Sequence, residues 1–289
     1  MATIVSLQGG LGNQMFQYAL ALSLRKAGKD VLLDISSYEG YGLHNGYELE
    51  RVFGIEEFFA TQEEIQKCKK RDQWIVQKIR YKLFGRKYRF FYEQKVSKHF
   101  HFDPHRFIYN KDNFCIRGYW QSEKFFVDNK EEVLKAFSFK AFEDEKNIEM
   151  FDRIKACNAV SIHIRRGDYI NHPNLDGICT ESYYRAAMEY MAAHVDEPMY
   201  FIFSDDIAWC REIFIQKNIV FVNLNHGTES YKDMQLMSTC RHNILANSSF
   251  SWWSAYLNTY KEKITIAPKK WFNEGYNTRD LYPDKWIKL

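Results

Sequence analysis

The second half of the chain alternates in pattern. Short apolar runs occur at AVSIHIR (159–165), MYFIFS (199–204), IVFVNL (219–224), NILA (243–246) and KITIAP (263–268). Between them lie segments with apolar residues at helical spacing: ESYYRAAMEYMAAH (181–194), IAWCREIF (207–214), YKDMQLMSTC (231–240) and FSWWSAYLNTY (250–260). Short runs rich in β-branched and aromatic residues predict strands buried on both faces, and the longer periodic segments predict helices. Strands alternating with helices predict a parallel sheet covered on both sides. The chain opens in the same way. Thr3–Leu7 predicts a strand, and QMFQYALALSLRKAG predicts a helix capped by Asn13 and stopped by Gly28. Val31–Ile35 predicts the returning strand. From about 40 to 150 the rhythm is lost. Gly- and Tyr-rich loops, basic helices and a helix near Val127–Phe137 are expected there. The charged stretch FEDEKNIEMFDRIKA (142–156) marks the boundary, giving domains 1–150 and 151–289. The fold class expected is α/β, with two Rossmann-like domains facing each other across a cleft.

Composition narrows the classes. A chain of 289 residues fits two medium domains, and 46% hydrophobic residues suffice for normal cores. No apolar run is long enough to span a bilayer, and MATIVSLQGG lacks a basic leader region and a cleavage site. The expected location is cytoplasmic or, at most, peripheral at the inner membrane. The six cysteines show no metal-ligand spacing and read as reduced core residues. Net charge is only +3, yet residues 66–100 carry twelve Lys and Arg against Asp72 and Glu93. Cys68, Ile75, Ile79 and Leu83 form an apolar stripe in that segment. A basic amphipathic helix can lie on an anionic membrane; the plainer alternative is a solvated helix packed on its own domain. No nucleic-acid motif accompanies the charge, so nucleic acid is not an expected partner.

Two motifs sit at strand ends. GGLGNQ (9–14) lies between a strand and a helix, where backbone N–H groups can meet an anion. It lacks the Gly-Lys-Ser/Thr of a phosphate loop, and Met15 takes the place of the third glycine of a dinucleotide fingerprint. A simple tight turn is the alternative. Gly10 and Gly12 would let the backbone come close to a ligand, and the adjacent amides of Asn13 and Gln14 suit a polyol. SIHIRRGDY (161–169) carries more chemistry. Val160, Ile162 and Ile164 should face one side of their strand, with Ser161, His163 and Arg165 on the other. Arg165 then lies at the C-terminal strand end, where open α/β sheets bind ligands. It can grip a phosphate bidentately, while Arg166 points away. Gly167 permits a sharp turn, and Asp168 can pair with an arginine or cap the turn.

FSDD (203–206) ends another strand. Asp205 and Asp206 could bind a divalent cation, but Ser204 or Asp205 as a helix cap is the preferred reading. In ANSSFSWWSAY (246–256), Asn247, Ser248, Ser249 and Phe250 open a helix whose N–H groups suit a phosphate. Trp252 and Trp253 read as core. Asp233 lies near the start of its own helix, where it could accept paired N–H bonds from guanine or complement the helix dipole.

Taken together, GGLGNQMFQYA, HIRRGDY and DMQLMSTCRHNILANSSFSWWSA, in this order along the chain, resemble glycosyltransferase family 11, the bacterial α-1,2-fucosyltransferases. The middle segment is also similar to the His-x-Arg-Arg-x-Asp signature of α-1,6- and protein O-fucosyltransferases. The resemblance implies a GT-B fold, GDP-fucose as donor, a β-galactoside acceptor, no metal or other cofactor, and inversion at the anomeric carbon. It implies a role in O-antigen or capsule biosynthesis. By position, Arg165 matches the arginine on the β-phosphate and glycosidic oxygen, and His163 a nucleoside contact. Asp233 matches the reader of the guanine edge, and Ser248 to Phe250 the diphosphate loop. Asn13 matches an asparagine that reaches the active centre, and Asp205 and Asp206 an acidic pair. Residues 40–150 carry little of the resemblance; there the acceptor should be chosen.

The expected reaction is attack of a galactoside 2-hydroxyl on C1 of GDP-β-L-fucose, with Arg165, Asn13 and Asp168 as catalytic candidates. Gly10, Gly12, Gln14, His163, Arg166, Asp205, Asp233, Asn247, Ser248, Ser249 and Phe250 would bind the donor. An arginine and helix-end N–H groups would stabilise the charge on leaving GDP. Pairing with an arginine would weaken Asp168 as a base. Alternatives are a fucosyltransferase of another linkage, a kinase or dehydrogenase (against which the missing lysine and glycine speak), and a non-catalytic nucleotide- or sugar-binding protein. Acceptor identity and oligomeric state are open at this level.

Overall fold

A computed structural model describes residues 2–40, 42, 44–69, 90–93, 100–102 and 114–289. The chain divides into two compact units. Unit 1 comprises Met1–Ser138 with Arg279–Leu281, and unit 2 comprises Phe139–Thr278 with Tyr282–Leu289.

Unit 1 begins with β1 (Thr3–Ser6), α1 (Leu11–Lys26) and β2 (Val31–Asp34), the βαβ start read from the sequence. The short helices α2 (Leu49–Phe53) and α3 (Gln62–Lys69) follow, then β3 (Phe90–Glu93), β4 (Phe114–Arg117) and α4 (Lys130–Ala136). The strands form a parallel sheet in the order β2-β1-β4-β3. Helix α1 is buried almost all round, from Leu11 to Leu24 apart from Asn13, as its apolar sequence requires. Gly28, at φ +80, follows its C-terminus and closes the last turn on Arg25 O. The C-terminal excursion Arg279–Leu281 is tied into this unit by Asp280. Its buried carboxylate accepts from Lys124 Nζ and the Phe102 N–H and pairs with His101. Burial is the largest single influence and raises its pKa, but these partners together outweigh it and hold the pKa down at about 2.

Unit 2 is the regular half. It contains α5 (Glu145–Lys155), β5 (Asn158–Ile164), α6 (Glu181–His194), β6 (Pro198–Ser204), α7 (Ile207–Ile213) and β7 (Ile219–Val222). After these come α8 (Tyr231–Thr239), β8 (His242–Ile244), α9 (Ser249–Leu257), β9 (Thr265–Ala267) and β10 (Ile287–Lys288). All six strands are parallel, in the order β10-β9-β8-β5-β6-β7. Counted within the unit, that is the Rossmann order, which reverses direction between β5 and β8. Alternation along β5 fixes both cores. Val160, Ile162 and Ile164 pack with Tyr184, Ala187 and Met191 of α6. On the opposite face Ala159, Phe201 and Phe203 pack with Ile154 of α5 and Leu236 and Met237 of α8. Trp252 and Trp253 are fully buried, as expected of core residues.

The expected α/β class, with two parallel-sheet units, is therefore present; such units are what a GT-B fold is made of. The units divide after Ser138, ahead of the expected boundary at 150. The charged stretch expected to mark the boundary contains α5, whose Met150, Phe151 and Ile154 pack on the second sheet. The helix expected at 127–137 starts as a 3-10 turn at Val127–Asn129 before α4. Cys157, Cys179, Cys210 and Cys240 are free thiols, but Cys115 is disulfide-bonded, which corrects the expectation of six reduced cysteines. The basic 66–100 segment falls largely outside the described residues, and so does its membrane reading. No helix among the described residues is long and apolar enough to cross a membrane.

Candidate active site

In unit 2 the chemistry gathers at the C-terminal ends of β5, β6 and β8, beside the point where strand order reverses. Arg165 follows β5 directly. Its Nε–H donates to Asp168 Oδ1 at 2.8 Å, and its Nη2 lies 2.7 Å from the same oxygen. Its Nη1 lies 3.0 Å from Asp205 Oδ2. A guanidinium has five N–H donors, so at least two remain to grip a further anion. The Arg165 side chain is still 31% exposed. Asp205 does two jobs, because its Oδ1 also accepts the Arg166 N–H at 2.9 Å. Gly167 makes this packing possible: a Cβ there would lie 2.8 Å from Asp205 Oδ2. Asp205 is thus a clamp, not the helix cap expected. Asp206 caps α7 by accepting the Trp209 N–H, and Ser204 accepts the Asp206 N–H. Arg166 turns away from Arg165 toward α7. It pairs with Asp206 at 3.0 Å and lies 4.0 Å from the centre of the Trp209 ring, which gives it a packing role at α7.

His163 sits one register position behind Arg165, on the same face. Its ring is buried against Phe250 at the start of α9, with centroids 5.6 Å apart. Its Nδ1 has no hydrogen-bond partner among the described residues. Burial, with Arg165's charge, pushes its pKa down to about 3, so the imidazole is neutral at physiological pH. Ser248 caps α9 by accepting the Phe250 N–H. Tyr169 joins the two regions. Its hydroxyl donates to Asn247 O at 3.2 Å, and its ring lies 5.8 Å from the Arg165 guanidinium. Asn247 itself is buried. Its amide donates to Leu175 O and Trp271 O, and its Oδ1 accepts from Cys179 Sγ. That side chain holds the loop, and both of its N–H donors are taken by backbone carbonyls, so it cannot donate to a ligand as expected. Ser249 is the first residue of α9.

Asp233 lies in the first turn of α8, at the same edge of the sheet. Its Oδ1 accepts from Asn225 Nδ2 at 2.8 Å. Burial, only partly offset by that bond, pushes its pKa up to about 7.

In unit 1 the opening loop leads into α1, and Gly10, not Asn13, is the N-cap. The Asn13 and Gln14 N–H groups both donate to Gly10 O. Gly9, at φ +78, makes the turn, and a Cβ on it would lie 2.6 Å from Asn13 Nδ2. Gln14 is fully buried. Its amide donates to Gly9 O and Gly46 O, and its Oε1 accepts the Glu48 N–H. It is a structural tie, which corrects its expected donor contact. Gly12 is likewise buried inside α1. Asn13 keeps partial exposure, and its Oδ1 accepts from Gln121 Nε2 at 2.6 Å. No group of three or more metal-ligating side chains occurs among the described residues.

The family model for glycosyl transferase family 11 matches residues 2–289, almost the whole chain. The chain belongs to glycosyltransferase family 11. An alpha-1,2-colitosyltransferase of Escherichia coli is 36% identical, over 99% of this chain and 98% of its own. The O-antigen biosynthesis glycosyltransferase WbnK of E. coli is 33% identical, over 98% of this chain and 99% of its own. Galactoside alpha-(1,2)-fucosyltransferase 2 of Bos taurus is 29% identical over 60% of this chain and 54% of its own. A family 11 glycosyltransferase needs a nucleotide-sugar donor and a glycan acceptor.

Sequence reading missed several residues of this glycosyltransferase's candidate site. Asn225 and Asn147 stand behind Asp233, Tyr169 bridges β5 to β8, and Gln121 holds Asn13. None forms a spaced motif with its partner; apart from Asn225 and Asp233, eight residues apart, each pair is distant in sequence and meets only through packing. Tyr169 alone carried a local signal, as the last residue of SIHIRRGDY.

Proposed function

We propose that this glycosyltransferase moves L-fucose from GDP-β-L-fucose to the 2-hydroxyl of a terminal β-galactoside, with inversion and without a metal ion. The observation that carries this reading is the placement of Arg165 at the sheet's reversal point. It is clamped by Asp168 and Asp205, with the α9 N-terminus beside its strand. As the glycosidic bond breaks, negative charge grows on the leaving GDP. A guanidinium already held in place meets that charge without reorganisation, and the N–H groups opening α9 add to it. The fucosyl centre becomes oxocarbenium-like, so the acceptor hydroxyl needs only modest deprotonation. In this reading Asp168 positions Arg165, Asp233 reads the guanine, His163 and Phe250 flank the nucleoside, and Asn13 contacts the fucose or the acceptor hydroxyl.

A second reading has its own support. The colitosyltransferase relative covers nearly the whole chain at 36% identity. Colitose is the 3-deoxy counterpart of fucose, so the transferred sugar would differ by one hydroxyl. Purified protein should be offered GDP-fucose and GDP-colitose with a panel of β-galactosides, and the product linkage read by NMR. An α-1,2-fucoside supports the first reading, and an α-1,2-colitoside with no fucoside supports the second. Transfer from neither guanosine donor, or complete loss of transfer in EDTA, counts against the proposal as stated.

A further inference from the structure

Behind Asp233 lies a closed chain of buried amides. Asn147, on α5, donates through Nδ2 to both Asp144 Oδ1 and Asn225 Oδ1, each at 2.8 Å. Asn225, in the loop between β7 and α8, donates through Nδ2 to Asn147 Oδ1 at 2.9 Å and Asp233 Oδ1 at 2.8 Å. Asn147 and Asn225 are both buried. An amide nitrogen has two hydrogens. Both hydrogens of Asn147 are spent, and so are both hydrogens of Asn225. Neither amide can flip without placing nitrogen against nitrogen or oxygen against oxygen. The network therefore dictates that Asp233 Oδ1 is an acceptor. Oδ1 keeps one lone pair, while Oδ2 meets no hydrogen bond among the described residues and is where a proton can sit.

We propose that Asn225, oriented by Asn147, is a positioning residue that presents the Asp233 carboxylate to a ligand edge carrying two adjacent N–H donors, the edge that guanine has and adenine and uracil lack. This rests on the guanosine-donor reading above. The charged groups around Asp233 are already matched among themselves. Lys232, its neighbour on α8, pairs with Asp144 of α5 at 2.9 Å and with Glu229 of the preceding turn at 2.7 Å. What governs the Asp233 proton is burial, which favours it, and the Asn225 N–H, which opposes it. A ligand with paired donors needs the deprotonated carboxylate, so binding releases a proton at neutral pH.

The test is calorimetric titration of the full chain with GDP, ADP and UDP across pH 5.5–9, with unfolding midpoints recorded in parallel. The wild type is expected to prefer GDP and to lose GDP affinity as pH falls through about 7. Asn225→Leu removes the N–H that opposes protonation. Its loss-of-affinity midpoint should move to higher pH, with GDP binding about tenfold weaker at pH 7, the scale of a lost bond to a charged group, and recovered by pH 9. Asn225→Ala removes the same N–H by truncation and adds no bulk, so it guards against misfolding of the first variant. Its midpoint should move the same way. A residue that merely supported the fold would lower the unfolding midpoint and leave the pH midpoint and base preference in place. If the wild type prefers GDP and either folded variant keeps both preference and pH midpoint, the positioning role is wrong. If the wild type does not prefer GDP over ADP and UDP, the guanosine reading beneath it is what fails.

Discussion

At the residue scale, the candidate site turns on how Asp205 holds an arginine. One carboxylate grips Arg165 Nη1 and the Arg166 N–H together, and it fits only because residue 167 has no side chain. A methyl group there cannot be absorbed by the far end of a flexible chain, since the oxygen it meets is already committed to Arg165. Gly167→Ala should therefore push Asp205 off Arg165. Transfer is expected to fall by about tenfold or more, on the scale of losing one positioned electrostatic group. The urea midpoint should change little; unchanged initial rates would contradict the clamp. His163 supplies a second residue-scale expectation. Its ordinary pKa is 6.5, and burial lowers it to about 3 in the folded chain. Between those values the unfolded chain binds a proton that the folded chain refuses, so stability falls as pH drops from 6.5 toward 3. In His163→Phe, which keeps the contact with Phe250, this contribution is absent, so the variant's unfolding midpoint should gain on the wild type's as pH drops through the window.

At the element scale, α9 matters for where it starts. Ser248 accepts the Phe250 N–H, so the helix begins after a short buried connection from β8 and its first N–H groups open at the reversal point. Ser248→Ala should cost about 1 kcal/mol of stability in urea unfolding, the usual size of a lost cap. It should also weaken GDP binding, because the first turn that would meet the diphosphate loses its anchor. A stability loss with GDP affinity untouched would place the α9 terminus outside the donor site. Helix α5 teaches a different lesson. Its sequence is charged enough to read as a boundary, yet Met150, Phe151 and Ile154, at i, i+1 and i+4, are apolar, share one face and pack on the second core. The amphipathic pattern was present and the density of charge masked it.

At the scale of the whole molecule, the two units carry different parts of the proposed reaction. All features suited to GDP, namely Arg165, Asp233 and the α9 N-terminus, belong to unit 2, whereas Asn13 belongs to unit 1. Asn13→Ala should therefore cut turnover by far more than it weakens GDP binding, a split read from steady-state rates beside calorimetry. Equal losses in both would place Asn13 on the nucleotide. Stability should also show two opposed pH slopes within unit 2. Asp233 is raised from 3.8 to about 7, so between those values the folded chain holds a proton that the unfolded chain has released, and stability falls as pH rises. This opposes the His163 slope over most of its range. In Asp233→Asn the opposing slope is gone, and stability should rise more steeply with pH between 4 and 6.5 than in the wild type. An unchanged slope would mean that Asp233 does not hold its proton.

The sequence by itself determined the alternating elements of unit 2, the two faces of β5, the βαβ start and the position of Arg165 at a strand end. These follow from local periodicity, which fixes which side chains share a face before any partner is chosen. It also carried the family, through three segments whose residue types and order match. The tertiary structure decided which polar side chains remain available for chemistry. Gln14 and Asn247 look like ligand amides in sequence, but both are buried and backbone carbonyls take both N–H donors of each. Asp205 looks like a helix cap, and strand order brings it instead to Arg165. Asn225 and Asn147 carry no signal in sequence, because a hydrogen bond across 78 residues exists only once α5 and the loop after β7 pack at the same edge of the sheet.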